Sequence, residues 1–132
     1  MTTRVLIPGK PVPKGRPRFS RAGKPYTPAA TRQYERRVAT VAALNITEQL
    51  TGPLEVVIWI SFPFLATGEE RRRVGDLDNH AKSLLDGLEG SAFTNDLQVQ
   101  ALTVWRTTGS LEGWVAVELS DLVKLAERPA WA

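Results

Sequence analysis

Two aspartates one residue apart, Asp76 and Asp78, open a stretch reading Gly75-Asp-Leu-Asp-Asn-His-Ala-Lys-Ser-Leu-Leu-Asp-Gly-Leu88. Lys82 follows one helical turn after Asp78. A further aspartate, Asp96, comes eight residues beyond Leu88, with Asn95 before it. Hard cations such as Mg²⁺ take oxygen ligands, commonly one or two carboxylates completed by substrate phosphates. Three acids and a lysine in this order suit a divalent cation and a phosphate group. They also suit a plainer role. Asp and Asn are favoured helix N-caps, and Lys82 stands four residues from both Asp78 and Asp86, where helical ion pairs form.

A helix has to present these groups. Leu77, Ala81, Leu84, Leu85 and Leu88 recur with the spacing of one apolar helical stripe, which predicts a helix over 77–88. At about 100° per residue, Asp78, Lys82 and Asp86 lie together off the edge of that stripe, so the leucines enter a core while the charges face a cleft. His80 falls nearer the stripe than Lys82 does, which assigns it to packing rather than to general-base chemistry.

Composition narrows the class of function. The chain of 132 residues suits one domain. It has no cysteine, so disulfides, thiolate metal sites and cysteine nucleophiles are excluded, as a reducing cytoplasm would favour. One histidine is too few for a His-rich zinc site. No apolar run has membrane-spanning length, and no signal-peptide core is visible.

The net charge of +3 is unevenly spread. Residues 1–37 hold ten Lys/Arg against one acid, a net +9, and residues 38–132 hold seven against thirteen, a net −6. A basic arm on an acidic remainder predicts a polyanionic partner. The arm, about residues 8–27, carries Lys10, Lys14, Arg16, Arg18, Arg21 and Lys24, and its prolines and glycine forbid a helix. Phe19 and Tyr26 sit among these cations, free to stack on unpaired bases. Arg32 and Arg36 extend the basic surface into the next element. Arg71, Arg72 and Arg73 directly precede the acidic motif and can meet phosphate there.

The remaining elements follow from periodicity and punctuation. Arg4–Pro8 reads as a strand. Thr27-Pro28 reads as cap and first residue of a helix over roughly 29–50, closed by Thr51-Gly52-Pro53. Leu54–Phe64 is the strongest strand, apolar on both faces, which predicts cover on both sides. Residues 98–106 and 113–119 read as two strands joined at Thr108-Gly109-Ser110; Trp105 and Trp114 can pair across that hairpin, but core packing is the role expected of both. Ser120-Asp121 reads as the cap of a final short helix, within a tail of about 121–132. This order predicts a single α+β domain with a mixed β-sheet and two main helices.

Taken together, Asp76-x-Asp78-Asn79-x-x-Lys82 and Asn95-Asp96-x-Gln98-Val99 resemble the RusA family of Holliday junction resolvases. So do Pro11-x-Pro13-Lys14-Gly15-Arg16-Pro17-Arg18 and the Tyr26-Thr27-Pro28 step, and the resemblance runs from about residue 5 to 119. It implies a small homodimeric, Mg²⁺-dependent endonuclease, with Mn²⁺ as a substitute ion, that resolves four-way DNA junctions by paired nicks in recombination and repair. By the same resemblance, Asp76, Asp78 and Asp96 are the essential acids and metal ligands, and Lys82 is the catalytic lysine. Asn79 and Asn95 are further candidates. Many members have two aspartates where this chain has Asn95-Asp96, and a neutral amide there predicts a less tightly held ion. No small-molecule cofactor and no membrane are expected, and the family implies a bacterial or phage cytoplasmic setting. Two alternatives stay open: a nuclease for forks or flaps, and a non-catalytic protein that binds branched DNA.

Overall fold

Alternation of apolar residues makes the central strand. The computed structural model describes residues 2–64 and 75–132. In chain order its elements are β1 (Thr2–Pro8), β2 (Arg18–Phe19), β3 (Pro25–Tyr26), α1 (Ala29–Asn45), β4 (Leu54–Ser61), α2 (Leu77–Leu88), β5 (Val99–Arg106) and β6 (Trp114–Asp121). β4 buries Leu54, Val56, Ile58 and Ile60 on one face. It pairs antiparallel with β6 and parallel with β5, and β1 adds to the far side of β6. The result is a mixed sheet in the order β1-β6-β4-β5.

A parallel pair needs a crossover, and α2 supplies it between β4 and β5. α1 packs on β1 and α2 on β5, and the two helices touch each other. Gly87 permits that contact. A Cβ there would stand 2.8 Å from Val38 Cβ and 2.9 Å from the carbonyl oxygen of Glu35. The apolar faces of both helices (Tyr34, Val38 and Ala42 of α1; Ala81, Leu84 and Leu88 of α2) join the sheet residues in one core. Truncating a buried leucine such as Leu84 to alanine costs about 2–5 kcal/mol, so the helix carrying the acidic motif is firmly held.

The α+β class with two helices and a mixed four-stranded sheet is as expected, and α2 occupies the predicted 77–88. Other expectations are corrected. α1 stops at Asn45, whose side-chain amide donates to the Val41 carbonyl, and Ile46 is already extended. The apolar repeat misleads here because Ile46 is buried without being helical. Leu50 bridges to Phe93. Pro28, not Thr27, is the N-cap, and no side chain caps this helix.

β5 and β6 form no hairpin, because β4 lies between them. The loop that joins them wraps the end of β4 instead. Thr107 N–H donates to the Ile60 carbonyl, and Ser110 N–H to the Phe62 carbonyl. The Ser61 hydroxyl donates to the Thr108 carbonyl and meets the Ser110 hydroxyl at 2.9 Å. Trp105 therefore sits opposite Trp59, and Trp114 opposite Ser61 and Pro8. β6 continues through Asp121 and no helix follows it.

The expected cover on both faces of β4 is not seen among the described residues: its inner face is buried and its outer face is only partly so. On the outer face Leu6 is 59% exposed, Trp105 is exposed, and Val57 and Trp59 are half-buried.

One buried group is mismatched to its surroundings. The Tyr34 hydroxyl lies in the core with no hydrogen-bond partner among the described residues. Burial pushes its pKa from 10.0 up to about 12, with the Arg37 charge opposing. A raised folded-state pKa means that the folded chain holds this proton more tightly. The contribution is fully present below pH 10 and lost as pH rises through about 12. Tyr34→Phe should be neutral or stabilising by about 1 kcal/mol near pH 8, since no bond is lost. It should also flatten the decline above pH 10. Urea unfolding at pH 8 and pH 11 checks this, and a loss above about 1 kcal/mol at pH 8 would mean that the hydroxyl is satisfied after all.

Candidate active site

Asp76 is the N-cap residue of α2, with extended backbone, yet its side chain makes no capping hydrogen bond. The plain capping role is therefore not what occupies this carboxylate. Asp78 lies in the first helical turn, and both acids are exposed. His80, one residue on from Asn79, is buried with its ring 4.9 Å from that of Phe62, edge to face, in the packing role its position predicts.

Asp96 is positioned from the other side. It begins a single 3-10 turn, Asp96–Gln98, that Asn95 caps. The Asn95 side-chain oxygen accepts from Leu97 N–H, and the Gln98 side-chain oxygen accepts from Asn95 N–H. The Gln98 amide then donates to the carbonyls of Leu50 and Gly52. Asn95 thus spends its oxygen on the local backbone, and the capping box fixes the segment that carries Asp96.

Between these two places runs a chain of alternating charge. Lys82 Nζ lies 3.2 Å from Asp86 and 3.6 Å from Asp96. Lys14 Nζ lies 2.9 Å from the other oxygen of Asp86 and 2.7 Å from Glu35. One row, Glu35–Lys14–Asp86–Lys82–Asp96, stitches α1, the arm, α2 and the 3-10 turn together. The hydrogen bond to Asp86 raises the Lys82 pKa above its usual 10.5, against a smaller opposing effect of burial. For Lys14, burial pulls downward, but the bonds to Glu35 and Asp86 outweigh it and the net shift is upward. Both ammoniums are charged at any physiological pH.

The arm is docked rather than loose at its base. Lys14 N–H donates to the Asn79 carbonyl in the first turn of α2, and the Ser83 hydroxyl donates to the Val12 carbonyl. Gly15 N–H donates to the Thr31 hydroxyl, which in turn donates to the Pro13 carbonyl. Beyond this base the cations stand free of the core: Arg16, Arg18, Arg21, Lys24, Arg32 and Arg36 are exposed, as is Lys10 before it. Arg71, Arg72 and Arg73 lie outside the described residues.

Three carboxylates, those of Asp86, Glu89 and Asp96, offer ligand atoms all within 4.8 Å of one another. Asp76 and Asp78 are not members of this group. Asp86, Glu89 and Glu35 were not singled out as site residues from the sequence. Asp86 carried a signal, its place on the same helix edge as Asp78 and Lys82. Glu35 carried none, because its partner Lys14 is far away in the chain. A groove of about 380 Å³ between α2 and β5 has Asp78 and Lys82 along its wall and Leu77, Leu85, Leu102 and Val104 as its apolar lining. Carboxylate oxygens as the anionic donors, with no cysteine in the chain to add a thiolate, fit a hard divalent ion.

Comparison with known proteins bears directly on this site. A family model described as Endodeoxyribonuclease RusA matches residues 8–120, from the arm through β6. A comparison with individually curated proteins finds no match.

Proposed function

Because the chain belongs to the RusA endodeoxyribonuclease family, we propose that it cuts four-way DNA junctions as a Mg²⁺-dependent homodimer, making one symmetric nick per subunit. The observation that carries this reading is the docking of a strongly basic arm onto the first turns of the helix that bears Asp76, Asp78 and Lys82. A polyanion gripped by the arm is thereby delivered to carboxylates that would otherwise repel it. Among the described residues no helix is long and apolar enough to cross a membrane, and a cytoplasmic setting accords with a DNA substrate.

The proposed division of labour rests on membership of the family and on the order of these residues in the chain. Asp76, Asp78 and Asp96 supply the oxygens for the ion; Mn²⁺ suits the same donors. When bound, the ion polarises the phosphate and lowers the pKa of its water. Lys82 donates to a phosphate oxygen as negative charge builds there. Asp86 holds Lys82 from behind and keeps Lys14, and with it the base of the arm, against the same helix. Lys14 is thus an anchor as well as a cation. Arg16, Arg18, Arg21 and Lys24, with Arg32 and Arg36, hold phosphates.

Two subunits are proposed because the substrate is two-fold symmetric and the sequence carries one Asp-x-Asp motif. The open outer face of the sheet, with Leu6, Val57, Trp59 and Trp105, is apolar surface of the kind an isologous interface buries. Sedimentation at micromolar concentration should give twice the chain mass of 14.6 kDa.

Phosphate contacts set a salt dependence. Arg16→Ala or Arg18→Ala should weaken binding alike for unrelated sequences and reduce the slope of log K against log salt by about one. Loss confined to one sequence with an unchanged slope would assign the residue to base reading instead.

The test of the function is a substrate panel of junction, fork, flap and plain duplex, each with Mg²⁺ and with chelator. Cutting of the junction with Mg²⁺ and not of the duplex is expected. Preference for flaps or forks would move the substrate assignment, and binding without cutting would make the protein a branched-DNA-binding module.

A further inference from the structure

Residues 18–26 form a small ribbon of their own. Arg18 pairs with Tyr26 and Phe19 with Pro25. The turn is closed by Ser20 N–H donating to the Lys24 carbonyl, Gly23 N–H to the Ser20 carbonyl and Lys24 N–H to the Ser20 hydroxyl. Gly23 takes φ +76°, which suits a residue without a Cβ. Directly opposed residues share a face of a ribbon. Tyr26 therefore stands beside Arg18 on one face, and Phe19 beside Pro25 on the other.

All four of these residues are exposed, with Phe19 at 70% and Tyr26 at 47%. Neither aromatic belongs to the core, so folding of the domain does not account for them. A two-stranded hairpin with no buried face is marginal in water, and exposed aromatics do nothing to rescue it.

Charge identifies the occupant of these faces. Residues 11–34 contain no acid, and Arg16, Arg18, Arg21 and Lys24 flank the two rings. A partner that is both polyanionic and furnished with flat apolar faces is nucleic acid whose bases are unstacked. In continuous duplex the bases are already stacked on one another and offer the rings nothing. At a branch point the pairs flanking the crossover expose a face.

Position identifies which part of the DNA is reached. The base of the arm is fixed at Lys14 and Gly15 on α1 and α2. Phe19 is four residue steps from Gly15, a reach of at most about 14 Å, or about four nucleotides along one strand. The rings therefore lie within a few nucleotides of Asp78 and Lys82.

We propose that the 18–26 hairpin is the branch-point probe of the protein, with Phe19 and Tyr26 stacking on base pairs left open at a junction while its cations hold the flanking phosphates. The proposal rests on the junction reading above and adds the residues that distinguish junction from duplex.

The experiment uses the full chain and a synthetic four-way junction with 2-aminopurine beside the branch point. A duplex of the same arm sequence is the reference, and binding is measured in chelator. Wild type should change the 2-aminopurine fluorescence of the junction. Phe19→Ala should lose that change and about tenfold or more of junction affinity, as expected for a lost base–aromatic stack, with duplex affinity altered less than twofold. Tyr26→Ala should act in the same direction, and Phe19→Trp should restore the wild-type behaviour. Equal losses on junction and duplex, or no loss on either, overturn the proposal. Cutting by wild type of the same junction with Mg²⁺ is scored separately. Its absence would overturn the nuclease reading, while the hairpin is judged on the fluorescence and affinity results.

Discussion

Asp76→Asn, Asp78→Asn and Asp96→Asn should each slow junction cleavage by about 10²–10³, the loss expected when several kcal/mol of charge stabilisation leave the transition state. DNA binding should survive or tighten, because each change removes a negative charge that faces phosphate. The fold should be little affected. Asp76 makes no capping bond that could be lost, Asp78 is exposed, and the Asp96–Lys82 contact is a 3.6 Å pair at the surface, worth at most about 1 kcal/mol. Glu89→Gln is the informative comparison. Glu89 shares the close carboxylate group with Asp86 and Asp96, yet it is not among the proposed ligands. Near-normal cutting by Glu89→Gln beside inactive Asp76→Asn and Asp78→Asn assigns the ion to the head of α2. The reverse pattern would assign it to the Asp86–Glu89–Asp96 group and displace the proposed set.

Lys82→Ala should lower the single-turnover rate by about 10²-fold, the scale of one preorganised donor to developing charge, while junction affinity changes little. The surrounding row of charges explains why the variant remains folded. With Lys82 gone, Asp86 keeps Lys14 at 2.9 Å, so the buried side of the row stays paired and the arm stays docked. Lys82→Arg keeps the charge but changes its shape, and a guanidinium does not replace a compact ammonium at one oxygen. Partial recovery is expected. Loss of affinity with an unchanged single-turnover rate would reduce Lys82 to a binding residue.

What the sequence made legible depends on the range of the interactions involved. Local signals carried well. The leucine spacing placed α2 at 77–88, and the same helical geometry set Asp78, Lys82 and Asp86 on one edge, which is how Asp86 and Lys82 come to pair. Alternation found β4, and the Asn95–Gln98 spacing sits where a capping box holds Asp96. Signals that depend on the rest of the molecule did not carry. Ile46 is buried like a helical residue but extended, so periodicity alone lengthened α1. The strands on either side of Thr108-Gly109-Ser110 looked like a hairpin because neighbours in sequence often pair. Here the loop is claimed by backbone and hydroxyl bonds to the end of β4, and the two strands flank that strand instead. Lys14 read as one cation among ten in a basic segment. Only folding reveals that Glu35 and Asp86 hold it, and that the arm is rooted beside the acidic motif.

The proposed function requires that two subunits cut one junction in a coordinated way. A supercoiled plasmid that extrudes a cruciform tests it most directly. A single nick releases the supercoiling, so the cruciform is reabsorbed and the product is a nicked circle. Two cuts within the lifetime of one complex give linear plasmid straight from the supercoiled form. With Mg²⁺ the protein should produce linear plasmid from the outset. An excess of Asp76→Asn mixed with wild type should convert that product to nicked circles, through dimers with one working site. Nicked circles alone from pure wild type, or linear product undiminished by the inactive subunit, would contradict the account.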